Sequence, residues 1–154
     1  MAIAGHRSAG KTRLLPLVGA LLQRNGLDLD AHLERTHGRP LRTWVAEAPA
    51  EFRAAERRAL LELPPGGLVS LGGGFLSHHA DALTGVFTLL VPISFDSYRE
   101  RLLKDRTRPR LRPELSLEEE LSSVFHEREA LHARVPTVAL VDFLRGCLTT
   151  EVPT

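Results

Sequence analysis

The sequence predicts an α/β protein in three layers, with helices on both faces of a mostly parallel, five-stranded sheet. Three observations carry this. Short apolar runs alternate with longer stretches of helical spacing, the signature of strand–helix–strand units. Residues 86–91 contain no polar side chain except Thr88, as suits a strand buried on both faces. Gly5-His6-Arg7-Ser8-Ala9-Gly10-Lys11-Thr12 fits G-x-x-x-x-G-K-[ST] at the junction of a first strand and a helix.

The elements follow in order. Ile3-Ala4 closes a first strand, residues 5–12 turn, and residues 13–23 carry Leu14, Leu15, Val18, Leu21 and Leu22 at helical spacing. Pro16 is expected in the first turn, where no intrahelical donor is lost, and Asn25-Gly26 ends the helix. Residues 27–30 read as a second strand. Helices are expected at 31–36, 41–48 and 51–63, the last two split by Pro49, before Pro64-Pro65-Gly66-Gly67 stops the run. A third strand at 68–71 runs into Gly72-Gly73-Gly74, and a short helix at 78–83 precedes the fourth strand. Residues 98–104 and 117–134 read as helices flanking an Arg/Pro-rich loop, and 138–141 as the last strand.

Composition bounds the function classes. A chain of 154 residues, 43% hydrophobic and 25% charged, suits one domain spanning 1–154. A net charge of +1 gives no reason to expect a nucleic-acid partner, and one Trp, one Tyr and six Phe are too few for a base-stacking platform. Cys147 stands alone, which excludes an internal disulfide and any multi-cysteine metal centre. Apolar runs fall far short of the ~20 residues that span a bilayer, and the first residues do not resemble a secretion signal. A soluble, cytoplasmic protein without a membrane partner is the expectation. His78, His79 and the remaining histidines show no ligand spacing, and no metal site is assigned to them.

The glycine-rich loop is the strongest signal. Gly5 and Gly10 let the backbone N–H groups of Ser8, Ala9 and Gly10 turn inward around phosphate oxygens, and the helix N-terminus adds partial positive charge. Lys11 would reach the β- and γ-phosphates and Thr12 would ligate Mg²⁺. A chance match in a chain of this length is on the order of one in a few hundred.

Other groups read two ways. Asp28 and Asp30 flank Leu29 on the second strand, so alternation points both to one side, beyond the carboxyl end where ligands bind. Asp28 could hold Mg²⁺ and Asp30 accept a substrate hydroxyl, or Asp30 could simply cap the following helix. Arg53 and Glu56 stand one turn apart, either as a surface ion pair or as a carboxylate clamp steadied by its glutamate. Gly72-Gly73-Gly74 implies close approach to the backbone, or a flexible turn. Arg99, Arg101, Lys104, Arg106, Arg108, Arg110 and Arg112 repel one another unless an anion gathers them, which suits a lid over nucleotide phosphates better than an RNA patch or a solvated face.

In order, these pieces resemble the shikimate kinases, small P-loop kinases related to the nucleoside-monophosphate kinases. The matching motifs are the phosphate loop, Asp28-Leu29-Asp30, Phe52-Arg53-Ala54-Ala55-Glu56, Gly72-Gly73-Gly74, Arg108-Pro109-Arg110-Leu111 and Arg128-Glu129-Ala130-Leu131. Ser8 stands where most of the family has glycine, and His132 where it commonly has tyrosine. The resemblance implies a three-layer P-loop kinase that phosphorylates the shikimate 3-hydroxyl from ATP with Mg²⁺, on the way to chorismate and aromatic amino acids. It implies that Lys11 and Arg108 stabilise the phosphoryl group and that Thr12 and Asp28 hold Mg²⁺. Asp30, Arg53, Gly72, Gly73, Gly74 and Arg128 would bind shikimate, and Arg101 would lie near adenine. Residues 31–63 become the substrate-binding helices, residues 105–113 the lid, and the protein a monomer. A kinase of another hydroxy acid, such as gluconate, and a nucleotide-binding regulatory module are the alternatives.

Overall fold

A computed structural model of the chain describes residues 1–105 and 110–149. Five strands, β1 (Ala2–Ala4), β2 (Gly26–Asp28), β3 (Leu68–Ser70), β4 (Thr88–Leu90) and β5 (Val138–Ala139), form one sheet. Its order is β2-β3-β1-β4-β5 and every pairing is parallel. Helices α1 (Lys11–Leu22), α2 (Leu29–His37), α3 (Leu41–Glu47), α4 (Pro49–Leu61), α5 (Phe75–His79), α6 (Phe95–Lys104), α7 (Leu117–His132) and α8 (Leu140–Thr149) surround it, with a 3₁₀ turn at Ala80–Leu83.

Strand alternation separates the layers. Ala2 and Ala4 of β1 and Val69 of β3 join Leu33, Trp44, Phe52 and Phe75 from α2 to α5 in one core. Ile3, Leu68 and Leu89 point the other way and pack against Leu15 and Val18 of α1, with Leu140 and Phe143 of α8 alongside. Tyr98, Leu102, Leu121 and Phe125 join α6 to α7 in a third cluster. Among the described residues, no helix is long and apolar enough to cross a membrane.

Several boundaries differ from expectation. β2 stops at Asp28, because the Asp28 side chain accepts from the Ala31 N–H and caps α2, which begins at Leu29. Asp28 and Asp30 therefore do not alternate along one strand: one is the cap and the other lies in the first helical turn. α1 begins at Lys11, so Pro16 lies beyond the first turn and leaves the Thr12 carbonyl without its i+4 donor. α5 starts at Phe75, immediately after the glycines. The last strand ends at Ala139, and α8, for which no helix was expected, follows. Its Leu140 and Phe143 cover the α1 face of the sheet.

Candidate active site

Two cavities open beyond the carboxyl ends of the strands and share a wall. The first, of about 690 Å³, is lined by Arg7 to Arg13, Asp28, Asp30, Ser70 to Gly73 and Arg101. The second, of about 410 Å³, is lined by Arg7, Asp30, Glu34, Leu41, Arg42, Val45, Phe52, Arg53, Glu56, Gly72 to Gly74, Leu111 and Arg128. Arg7, Asp30, Gly72 and Gly73 belong to both.

The first cavity is built around the start of α1. Gly10 is the N-cap at φ 98°, and with no side chain it leaves the unpaired first-turn N–H groups for an anion. Gly5 takes φ 146°, where a Cβ would meet the Val91 carbonyl oxygen at 2.7 Å. Ser8 is also left-handed, at φ 62°, so a side chain occupies backbone geometry that favours glycine. Lys11 is buried, its Nζ donating to the carbonyls of Gly5 at 2.9 Å and His6 at 2.6 Å. Thr12 Oγ1 donates to Asp28 Oδ2 at 2.9 Å. A hydroxyl and a carboxylate oxygen so placed form a donor set suited to a hard divalent cation. Arg101 Nη1 reaches back to the Ser8 carbonyl at 2.6 Å.

The second cavity has an apolar side (Leu41, Val45, Phe52, Leu111) and a cationic one. Arg53 Nη1 donates to Glu56 Oε2 at 2.8 Å, and Glu56 is 1% exposed. This is a part-buried pair rather than a surface one. Arg128, on α7, comes to the same place from the other side: a Cβ on Gly74 would lie 3.2 Å from Nη2 of both Arg53 and Arg128. The neighbouring glycines are as crowded. A Cβ on Gly72 would lie 2.8 Å from Asp30 Oδ1, and one on Gly73 2.7 Å from the Arg7 backbone N. Close approach, not positive φ, explains the triple glycine.

A sequence model described as shikimate kinase matches residues 7–142. The chain belongs to the shikimate kinase family. It is 31% identical to the shikimate kinase of Chlorobium luteolum, over 97% of this chain and 80% of that one. It is also 31% identical to that of Rhodopirellula baltica, over 84% and 74%. Among solved structures, the shikimate kinase of Acinetobacter baumannii, determined in complex with shikimate, superposes with a TM-score of 0.81 at 22% identity, covering 99% of this chain and 94% of that one. The shikimate kinase of Aquifex aeolicus gives 0.74 at 23% identity, over 90% and 84%. Shikimate kinases are phosphotransferases of aromatic amino acid biosynthesis that use ATP and Mg²⁺.

For a shikimate kinase, the electrostatics of the shared wall matter most. Burial pushes the Lys11 ammonium down to about 8; Asp30 opposes this and Arg128 reinforces it. Burial raises the Asp30 carboxyl to about 6, with Glu56 and Asp28 adding to the effect and Lys11 and Arg53 opposing it. Glu56 is also raised by burial, against the pull of Arg53.

The structure brings Ser8, Ala9, Gly10, Lys11, Thr12, Asp28, Asp30, Gly72, Gly73 and Arg101 to the first cavity and Arg53, Gly74 and Arg128 to the second, while Gly5 lies behind the loop against Val91 and lines neither. Arg108 lies outside the described residues, as do Thr107 and Pro109. The arginine-rich run does not need a bound anion to relieve it throughout. Arg99 pairs with Glu118, Lys104 with Glu100, Arg110 with Glu120 and Arg112 with Glu127. Most of these acids come from α7, outside the run itself. Arg7, Arg42 and the apolar wall were not singled out from sequence. Arg7 lay within the loop motif itself, and Leu41, Arg42 and Val45 within residues 31–63.

Proposed function

We propose that this chain transfers the γ-phosphoryl group of ATP to the 3-hydroxyl of shikimate, with the polyphosphate in the first cavity and the acid in the second. The observation that carries the reading is the shared wall. Asp30, Gly72 and Gly73 face a phosphate-binding loop on one side and a paired-arginine pocket on the other. A direct transfer between two substrates needs that adjacency, since positioning and charge neutralisation supply most of the catalysis.

In this reading Ser8, Ala9 and Gly10 present backbone N–H groups to the phosphates, and Lys11 leaves its carbonyl partners to neutralise the β- and γ-oxygens. Thr12 and Asp28 hold Mg²⁺, which when bound offsets phosphate charge. Arg53, steadied by Glu56, and Arg128 grip the carboxylate of shikimate beside Gly74. Asp30 orients the acceptor hydroxyl and takes its proton as the phosphoryl group arrives. Arg101 borders the nucleotide, Arg108 adds a cation to the transferring group, and residues 105–113 serve as the lid that excludes water. Residues of one chain line both cavities, which supports a working monomer, to be checked by light scattering.

The test is ADP release with ATP and Mg²⁺ in the presence of shikimate, of gluconate, or of no acceptor. Release that requires shikimate and disappears in Lys11→Ala is expected. Release driven by gluconate instead would move the reading to another acid, and nucleotide binding without release to any acceptor would leave a binding module.

A further inference from the structure

Outside both cavities, three potential ligands meet where the phosphate loop passes α7. His6 Nε2 lies 2.6 Å from Glu129 Oε1, and His132 Nδ1 lies 3.7 Å from the same oxygen. One ligand atom from each of the three falls within 4.8 Å of the others. The imidazoles are buried, at 1% and 4% exposure, whereas the Glu129 side chain is 51% exposed. None of the three lines either substrate cavity. His6 Nδ1 and His132 Nδ1 are both buried without a hydrogen-bond partner, and of the two His132 Nδ1 is the one that faces Glu129. An unsatisfied buried polar atom is costly, and an ion bound at His132 Nδ1 would satisfy it.

We propose that His6, Glu129 and His132 form a second metal site, distinct from the Thr12–Asp28 pair, which takes a zinc-class divalent ion. The ligand chemistry selects the class. Two imidazoles and one carboxylate suit Zn²⁺, Co²⁺ or Ni²⁺, whereas Mg²⁺ prefers an all-oxygen octahedron. Bonds of about 2.0–2.2 Å in a tetrahedron place ligand atoms roughly 3.3 Å apart; the two edges at Glu129, 2.6 and 3.7 Å, straddle that value, and the edge between the imidazoles lies within 4.8 Å. Glu129, the half-exposed member, and His132 close onto the ion together and leave a fourth position open to water. His6 is already held, stacked on Phe125 at 4.2 Å and 10°, and His132 stands edge-on to it at 4.7 Å. Lys11 and Arg128 act on His6 as repelling cations, and the Glu129 carboxylate offsets them. The ion satisfies His132 Nδ1 and leaves His6 Nδ1 as it is. Bound there, it ties the phosphate loop to α7 one residue from Arg128.

The test titrates Zn²⁺ into chelator-stripped full-length protein against a chromophoric chelator. The visible spectrum of the Co²⁺ form reports coordination geometry. One tight equivalent and a tetrahedral Co²⁺ band are expected, unaffected by equimolar Mg²⁺. Glu129→Gln and His132→Phe should each weaken Zn²⁺ by more than about 10-fold, the lower end of what even an outer-shell partner costs. Glu129 is exposed enough that Glu129→Gln keeps the fold should His132→Phe lose it. The absence of a tight equivalent, or unchanged affinity in Glu129→Gln, would overturn the proposal and leave zinc on scattered surface histidines.

Discussion

Asp30 stands where both cavities meet, and its carboxyl, raised to about 6, is near the value at which a base works best at neutral pH. Asn keeps its shape and removes its charge. Asp30→Asn should therefore lower kcat by about 100-fold or more, in the range general-base removal costs. Thermal unfolding should show no loss of stability, because a buried carboxylate disfavoured by its surroundings is being removed. Wild-type turnover in this variant would leave Asp30 as a structural residue of the first turn of α2. Arg53 makes a different demand. Its fork holds Glu56 with one nitrogen and presents Nη2 towards Gly74, and lysine cannot do both. Arg53→Lys should raise the KM for shikimate about 10-fold, the equivalent of ~1.4 kcal/mol of lost binding, with the KM for ATP nearly unchanged. An unchanged acid KM would take Arg53 out of the clamp.

Helix α7 does more than any sequence pattern of its own announces. Ser116 and Glu119 start it with a reciprocal capping box, and Glu118, Glu120 and Glu127 then receive Arg99, Arg110 and Arg112. Of these acids Glu120 is fully buried, and it also accepts from the Leu111 N–H at 3.0 Å. Glu120→Ala should lower stability by about 1–3 kcal/mol, the cost of unsatisfied buried groups. In a chain of this size that is a drop of several degrees in the melting temperature. Glu118→Ala, whose pair with Arg99 is solvent-exposed and screened, should leave the melting temperature nearly unchanged. Equal losses would mean that burial does not distinguish the two. The phosphate loop could be read from the chain because its chemistry is local, with glycines, lysine and threonine in one turn. The charge balance of residues 99–112 could not, because its partners arrive from a helix that packs alongside only in the folded state. The acidic pair falls between these cases. Both aspartates reach the first cavity, yet they do so as a helix cap and a first-turn residue, because capping by Asp28 ended the strand two residues early.

Parallel pairing in the order β2-β3-β1-β4-β5 brings the carboxyl ends of β1, β2 and β3 together, so the phosphate loop, the aspartates and the glycines converge although they are far apart in sequence. The same convergence buries Lys11 and partly buries Asp30 between layers, and that burial, more than either side chain's nature, sets their charges. Lys11 is shifted down because burial disfavours its cation, and Asp30 up because burial disfavours its anion. In their proposed roles Lys11 works charged and Asp30 ionised, so the active form of the free enzyme exists between the two values. A plot of kcat/KM for shikimate against pH should rise through a limb near 6 as Asp30 loses its proton, and fall through a limb near 8 as Lys11 loses its own. The limbs can be assigned separately. Asp30→Asn should abolish the acid limb in its residual activity, since no proton remains to be lost there. Saturating ATP should move the alkaline limb upward, because phosphate charge beside Lys11 favours the ammonium. An acid limb that survives Asp30→Asn would belong to another group, with Glu56, also raised by burial, the next carboxyl to replace.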